Sequence, residues 1–352
     1  MVLERFKAIK GVMKKIKFAV IGYGHIGKKH AAMVDGNPDS ELVAVVDTNA
    51  EARKIASESC SNVFETVDDF IKADLDVDVV NICTPNGYHC DMASKSLEKR
   101  YHVILEKPMG LNRAECEDVI FKSLQASRNV FCVKQNRYSP TSAWLKELVD
   151  EERLGDIYLV QLNCYWNRDS RYYKKGGWKG TKDLDGGVLF TQFSHFVDIM
   201  YWLFGDIKNI RGRAANFNHQ DSTEFDDSGI VNFDFVNGGI GSLNFSTSVW
   251  GANMESSIAV IGEKGSVKIS GQYMDQVTHV KIDNYEMPEL PPANPPNDYG
   301  DYKGSAANHH YVIQNVIEVL QGKAVISTNA LEGMKVVEMI ERMYDAMDNR
   351  SY

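Results

Sequence analysis

The stretch that most restricts what this chain can become is GYGHIG, residues 22–27, set between the apolar run IKFAVI and the helical-looking KKHAAMVDG. Strand, G-x-G-x-x-G and helix in immediate succession leave few folds open. Glycines at 22, 24 and 27 permit a tight turn and let backbone approach a pyrophosphate, whose charge then sits at a helix N-terminus. His25 and Ile26 belong to the same turn. The next strand-like run, ELVAVVD, ends at Asp47, 20 residues after Gly27. A carboxylate at that distance takes the ribose hydroxyls of NAD. Thr48 and Asn49 follow, with no Arg or Lys beside them to hold a 2′-phosphate, so NAD is favoured over NADP.

The alternation continues through a short strand at 62–66, a helix at 67–73, the buried strand VDVVNIC, a helix at 89–99, the strand YHVILEKP, a helix at 113–127 and the strand NVFCVKQ. This predicts about six parallel strands with crossover helices, an α/β Rossmann-type domain over residues 1–136. Ligands of open α/β sheets bind beyond the carboxyl ends of the strands. TPNGYH places Thr84, Asn86 and His89 there, Glu106-Lys107-Pro108 closes the fifth strand, and Asn136 follows the sixth. A lysine at such a strand end points into the cofactor crevice. Partial desolvation and a nearby cation lower its pKa, letting it act as acid or base near neutral pH. Glu106 orients it or contacts the ribose.

After a linking helix at 140–154 the pattern changes. IYLVQLNCYW, IVNFDFV, IGSLNFSTSVW and SSIAVIGEKGSVKIS alternate with period two; in the second of them Val231, Phe233 and Phe235 face one way, Asn232 and Asp234 the other. Residues 137–352 are therefore expected to form an α+β domain with a large open, mostly antiparallel sheet. One face covers core helices and the other is exposed or an oligomer interface. Residues 187–205, GVLFTQFSHFVDIMYWLFG, read as one helix buried on most sides. Thr191, Ser194, His195 and Asp198 fall on one narrow stripe of it, and buried polar groups need partners in protein, water or ligand.

Between the first of these strands and that helix, residues 168–182 carry six basic side chains (Arg168, Arg171, Lys174, Lys175, Lys179, Lys182) against one acid, Asp169, with Tyr172, Tyr173 and Trp178 interleaved. In a chain of net charge −9 such a loop suits an anionic substrate, and a diphosphate is a good candidate. Residues 287–305 are a Pro-, Asn- and Gly-rich loop expected to lie over the site. Ser305 is expected to cap the helix running to Gln321, with Asn308 and His309 in its first turns, where an anion is also held. A last helix over 331–347 is expected to pack back on the scaffold.

The acidic balance argues against general nucleic-acid binding, and no apolar run approaches the ~20 residues of a membrane span. MVLERFKAIKGVMKK is not a secretion signal; it reads as a short extension before the first strand. The six cysteines show no paired spacing and no Cys/His cluster of zinc type. They read as reduced thiols of a cytoplasmic protein, with no metal site.

GYGHIG with Asp47, TPNGYH, EKPMG (106–110) and the DGG…H..D pattern of Asp185, Gly186, Gly187, His195 and Asp198 together resemble the glucose–fructose oxidoreductase / inositol dehydrogenase / MocA (Gfo/Idh/MocA) family over nearly the whole chain. The resemblance implies that Lys107 and His195 flank the hydroxyl that loses a hydride to NAD. Many members carry a carboxylate four residues before that histidine; this chain has Thr191, which leaves proton transfer to Lys107 and His195, in either assignment. RYY…GGWKGT..LDGGVLFTQFSHFVD with YGDYKGSAANHHYVIQN is similar to the nucleotide-sugar 3-dehydrogenases of bacterial O-antigen (lipopolysaccharide) biosynthesis. That similarity implies oxidation of C3 of UDP-N-acetylglucosamine or its uronic acid to a ketone, which an aminotransferase converts to an amine. Thr191 departs here too, where the subgroup often has an amide. Arg168, Tyr172, Tyr173, Trp178, Thr191, Ser305, Asn308 and His309 then join Lys107 and His195 around the substrate. Family members commonly pair through the open sheet face, which implies a homodimer or homotetramer.

Two other readings stay open at the level of sequence. One is an oxidoreductase of the same fold acting on a free sugar, an inositol or a keto-sugar. The other is a sensor that holds NAD without turnover, against which only Lys107 and His195 speak.

Overall fold

The computed structural model of the chain describes residues 14–300 and 302–348; most of the expected N-terminal extension, residues 1–13, lies outside them. The first half alternates strand and helix: β1 (Ile16–Ile21), α1 (His25–Asp35), β2 (Ser40–Val46), α2 (Ala50–Ala56), β3 (Val63–Phe64), α3 (Val67–Lys72), β4 (Val79–Ile82), α4 (His89–Glu98), β5 (His102–Leu105), α5 (Arg113–Ala126) and β6 (Val130–Cys132). The helices begin where the sequence supplies caps. Asn49, Thr66 and Asn112 each accept a backbone N–H from three residues on, starting α2, α3 and α5. The strands pair in the parallel order β3-β2-β1-β4-β5-β6. The order reverses between β1 and β4, and a crevice opens at that switch point.

The second half contains α6 (Pro140–Asp150), β7 (Ile157–Tyr165), α7 (Val188–Thr191), α8 (Ser194–Phe204), β8 (Ile207–Ala215), β9 (Ser228–Phe235), β10 (Ile240–Ser246), β11 (Glu255–Gly262), β12 (Gly265–Ser270), β13 (Gln276–Ile282), β14 (Pro296–Asp298), β15 (Lys303–Ala306), α9 (His309–Leu320) and α10 (Ala330–Asp348). Seven strands form one sheet in the order β13-β12-β11-β7-β10-β9-β8. Only β7 and β10 pair in parallel. Val231, Phe233 and Phe235 are buried as the period-two pattern requires. The covered face packs on α8, where Phe193 and Phe196 meet the Trp166 ring at centroid distances of 5.3 and 5.8 Å. After β13 the chain returns to the first sheet: α9 packs its Val312, Ile313 and Val316 with Phe18 and Val34 of β1 and α1, and α10 spans from β8 to α5.

The structure corrects the sequence reading in three places. The single helix expected over 187–205 is two, α7 and α8. The Phe193 N–H reaches back five residues to the Val188 carbonyl at 3.1 Å, a wider turn that breaks the helical register just after Thr191. Ser305 caps no helix; it lies in β15, and Asn308 occupies the position before α9 without capping it. The 287–305 loop contains nearly all of a two-stranded ribbon, β14–β15. Strands β8 and β13, the two sheet edges, had no reading in the sequence, because their polar faces interrupt the apolar alternation.

All six cysteines are buried and unpaired. Among the described residues no helix is long and apolar enough to cross a membrane.

Candidate active site

A cleft of about 770 Å³ runs along the carboxyl ends of the parallel strands and under the second sheet. Its floor is the glycine turn after β1. A Cβ on Gly27 would lie 1.8 Å from the Gly22 carbonyl oxygen, so only glycine lets α1 start this close to the strand. A Cβ on Gly24 would meet nothing within 4 Å; the backbone there faces open cleft, at the N-terminus of α1. Beside it, one Asp47 carboxylate oxygen accepts the Tyr23 N–H at 2.6 Å and the other the Asn49 N–H at 2.7 Å. Each oxygen keeps acceptor capacity for a ribose diol. These features fit a dinucleotide: free N–H groups at a helix start for the pyrophosphate, a fixed carboxylate for the ribose. The fold brings one cation near Asp47 that adjacency in sequence did not reveal. Arg53 donates to the Asp47 and Thr48 carbonyls, both at 2.9 Å, and to Glu65 at 3.0 Å. Its guanidinium is thus already engaged.

The loops after β4 and β5 are stapled together by His89, whose ring nitrogens lie 2.7 Å from the Pro108 carbonyl and 2.9 Å from that of Thr84. Gly87 packs tightly against the loop before α7; a Cβ there would sit 2.1 Å from the Asp183 carbonyl oxygen. This approach carries Asn86 to Thr191, where its amide donates to the hydroxyl at 2.7 Å and to the Asp185 carbonyl at 2.9 Å. The Thr191 hydroxyl in turn donates to the Asp185 carboxylate. The Lys107 amine enters from β5 and donates to the Thr191 carbonyl at 2.5 Å. Burial pulls the Lys107 pKa down to about 8, against the raising influence of Glu106 and Asp185.

Glu106 lies deeper. One oxygen is 3.0 Å from His30 Nε2 and 3.4 Å from His309 Nε2, and the other accepts the Lys107 N–H at 3.1 Å. Burial alone would raise its pKa; the two histidines outweigh that and hold it well below the usual carboxylate range. The ligating atoms of His30, Glu106 and His309 lie within 4.8 Å of one another, a set that could hold a metal ion. Their mutual hydrogen bonds already account for it.

His195, 5% exposed, faces the same cleft from the first turn of α8. Burial, reinforced by the Lys107 charge, holds its pKa well below the ordinary histidine value, so the ring is neutral at physiological pH. Its Nε2 lies 3.5 Å from the Gln135 amide nitrogen, and its Nδ1 meets no protein partner. Gln135 and Gln192 also line the cleft, each with an unpartnered buried carbonyl oxygen. Neither was picked out in sequence, although Gln192 stands beside Thr191 and Gln135 beside Asn136.

The opposite wall is cationic and aromatic. Of the six basic residues in the 168–182 loop, Arg168 and Lys179 line the cleft, while Arg171, Lys174, Lys175 and Lys182 are exposed. Lys179 Nζ sits 3.9 Å from the centroid of Tyr172 and 4.6 Å from that of Tyr302, and donates to the Tyr302 hydroxyl at 2.9 Å. The Arg168 guanidinium lies 4.7 Å from Trp166 and 5.0 Å from Tyr172, with its Nε unpartnered. Burial and the Arg168 charge lower the Lys179 pKa to about 8. His219, unsuspected in sequence, supports this wall from behind: its ring meets the Asp227 carboxylate at 3.0 Å and the Arg168 carbonyl.

The cleft thus gathers Gly22, Gly24, His25, Ile26 and Asp47 at one end, then Thr84, Asn86, His89, Glu106 and Lys107, with Arg168, Tyr172, Trp178, Thr191 and His195 across from them. Ser305 and His309 line it from the C-terminal segment. Four expected site residues do not line it. Gly27 is packed under the turn. Asn136 accepts the Ser305 hydroxyl and so anchors β15. Tyr173 stacks edge-on behind Tyr172 at 4.9 Å. Asn308 bonds Asn294 at 2.7 Å and Ser139 at 3.1 Å. Two members of the polar stripe also lie apart: Asp198 is paired with Arg137 at 2.7 and 2.9 Å, and the Ser194 hydroxyl is buried without a partner.

Parallel-sheet crevice, open glycine turn, the Asp47 carboxylate beside it and the strand-end lysine fit an NAD-binding oxidoreductase. Residues 16–134 match the oxidoreductase family with an NAD-binding Rossmann fold, and residues 143–268 match the GFO/IDH/MocA C-terminal domain. The chain belongs to the Gfo/Idh/MocA family, and NAD is its cofactor. Among solved structures, the WlbA dehydrogenase of Chromobacterium violaceum in complex with NADH and UDP-GlcNAcA is 30% identical, with a TM-score of 0.86 over 96% of this chain and 94% of that one. The WlbA dehydrogenase of Bordetella pertussis, with the same two ligands, is 28% identical, with a TM-score of 0.86 over 96% and 98%. Inositol 2-dehydrogenase of Rhizobium meliloti is 28% identical over 197 residues, 54% of this chain and 56% of its own.

Proposed function

We propose that this protein oxidises a sugar hydroxyl of a nucleotide sugar, the C3 hydroxyl of UDP-N-acetylglucosamine or of its uronic acid. The observation that carries the reading is the Arg168–Lys179 pair on the Tyr172 and Tyr302 rings, inside the same cleft as Lys107 and His195. Two cations held out of bulk water on aromatic faces suit the diphosphate and base of a nucleotide, and have no counterpart need in a neutral polyol. The likeness to two dehydrogenases solved with NADH and UDP-GlcNAcA supports the same class.

NAD, when bound on Gly22–Gly27 and Asp47, supplies the acceptor for the hydride that leaves the carbinol carbon. Lys107 takes the hydroxyl proton: a pKa of about 8 leaves a useful fraction of neutral amine near physiological pH, which suits a general base. His195 is too weak a base for that step. As a neutral imidazole it hydrogen-bonds the substrate oxygen as charge develops. A cytoplasmic setting and a homodimer or homotetramer go with this reading; the unpaired cysteines support the first.

The test is absorbance of reduced nicotinamide with stoichiometric enzyme, NAD, and UDP-N-acetylglucosamine, its uronic acid, free N-acetylglucosamine or myo-inositol in turn. A second set adds a 2-keto acid as hydride acceptor and follows the 2-hydroxy acid formed from it, which reveals turnover on a cofactor that is not released. Reduction only with a UDP-sugar is expected. Reduction with a free polyol would discard the nucleotide-sugar assignment, and silence with all four would favour a non-catalytic NAD sensor.

A further inference from the structure

Asp185 is fully buried and does not line the cleft. A carboxylate taken out of water is costly unless it is hydrogen-bonded and matched by positive charge. Here both conditions are met in a particular way. One oxygen accepts the Gly180 N–H at 2.7 Å and the other accepts the Thr191 hydroxyl. The matching charges come from Lys179 and Lys107, which enter the cleft from opposite walls. Burial raises the Asp185 pKa to about 6 even so, which leaves it ionised at neutral pH.

Thr191 has its proton and its acceptor site both committed. Asn86 donates to its hydroxyl at 2.7 Å, so that the hydroxyl proton is directed to Asp185. The break between α7 and α8 falls immediately after this residue, and its carbonyl is thereby available to the Lys107 amine at 2.5 Å. From Asp185 to Lys107 there is a continuous chain of hydrogen bonds through one residue.

We propose that Asp185 is the positioning residue for Lys107: it fixes the Thr191 hydroxyl, and Thr191 presents its carbonyl to the amine. Asp185 touches neither the cleft nor the reacting atoms; it acts through Thr191 and through its charge. The charged groups around Lys107 are Glu106 and Asp185, which favour the ammonium form, and Arg168, Lys134 and Lys179, which oppose it. Removing Asp185 therefore moves Lys107 further toward the neutral amine.

The proposal rests on the dehydrogenase reading only in its kinetic readout. The deciding measurement needs no substrate: competitive acetylation of the full-length protein with acetic anhydride across pH, with the Lys107 peptide quantified by mass spectrometry. In Asp185→Asn the Lys107 labelling midpoint is expected to fall by about one pH unit or more, as for loss of an opposite charge nearby, with NAD binding retained. In Thr191→Val the Lys107 labelling rate is expected to change, while Thr191→Ser restores the wild-type profile. If Asp185→Asn fails to fold, the Thr191 pair decides. A Lys107 midpoint unchanged in Asp185→Asn, or a Thr191→Val profile matching wild type, overturns the proposal. Where the wild type turns over a sugar, kcat is expected to fall at least tenfold in Thr191→Val with KM for NAD unchanged. Absence of turnover in the wild type counts against the dehydrogenase reading and leaves the labelling result to judge Asp185.

Discussion

The Lys107 amine donates to the Thr191 carbonyl across 2.5 Å, joining the end of β5 to the end of α7. One residue comes from the parallel sheet and the other from the helices beneath the second sheet. The amine is thus placed by both halves of the fold and is oriented within the cleft. Lys107→Ala removes that amine and leaves Gly22–Gly27 and Asp47 intact. Turnover is expected to fall by roughly 10²–10⁴-fold, the range for loss of a general base, with NADH still bound in a fluorescence titration. Near-native turnover would rule out the role.

The pH dependence follows from the same residue. With Lys107 as the proposed base the neutral amine is the active form, so kcat/KM is expected to rise with pH through about 8 and level off above it. His195 is held well below the ordinary histidine value, and its titration lies on the acid side. Initial rates between pH 5.5 and 9.5 separate the two. A single rise below pH 6.5 would transfer the base to His195.

That Lys107 and His195 line one cleft was legible because each lies in a short local pattern, a strand end followed by Pro108 and a polar stripe in an apolar run. The place of Asp47 beside the glycine turn was legible through spacing alone. The partners that tune these residues were not, since they meet only in the folded chain. Glu106 sits between His30 and His309, which come from opposite ends of the sequence. Thr191 reads as a departure from a pattern until Asn86 and Asp185 are seen on its hydroxyl. The basic loop illustrates a limit of composition: six cations are present, yet the fold turns only Arg168 and Lys179 inward. Gln192 carries no local signal of its own. It adjoins Thr191 in a stretch read as one regular helix, and the break after α7 gives it the cleft.

Asp47 is expected to set cofactor choice by geometry and charge. Its two oxygens are fixed by the Tyr23 and Asn49 N–H groups, and a 2′-phosphate there would face a carboxylate. Asp47→Asn is expected to weaken NADH binding roughly 10–100-fold, the equivalent of one charged hydrogen bond, and to narrow the gap to NADPH. Parallel titrations of the two cofactors check this. A variant that keeps the wild-type ratio would place discrimination elsewhere, with Arg53 the next residue to change.

The open face of the seven-stranded sheet is expected to be where copies of the chain pair. Leu159 is in register with Ile240 on one side and Ile261 on the other, and the three are 37%, 54% and 48% exposed. Around them lie Gln161, Asn163 and Asn244, short or neutral side chains that a flat interface accommodates. Replacing Ile240 with Glu introduces a charge at the centre of the apolar group. Light scattering is expected to show a dimer or tetramer for the wild type and a lower mass for Ile240→Glu. A monomeric wild type at working concentration would count against pairing.

Asp198 belongs to the stability of the fold. Arg137 grips its carboxylate with two hydrogen bonds, Lys134 lies 3.4 Å away, and Arg137 also reaches Glu332 of α10 at 2.8 Å. The network ties the segment after β6 to α8 and α10. Burial would raise the Asp198 pKa, but Lys134 and Arg137 outweigh it and hold the carboxyl below the usual range. A depressed folded-state pKa means that its stabilising contribution is present above the ordinary carboxylate value and is lost as pH falls through the folded one. Arg137→Ala leaves a buried carboxylate short of its main partner and is expected to cost roughly 3–5 kcal/mol in denaturant unfolding. Replacing all three charged side chains with apolar residues of similar volume, Lys134→Met and Arg137→Met with Asp198→Leu, leaves no buried charge of this group stranded, and the triple variant is expected to unfold at a higher denaturant midpoint than Arg137→Ala. If the single and triple variants unfold together, a stranded Asp198 charge carries no cost, and the segment is held by packing alone.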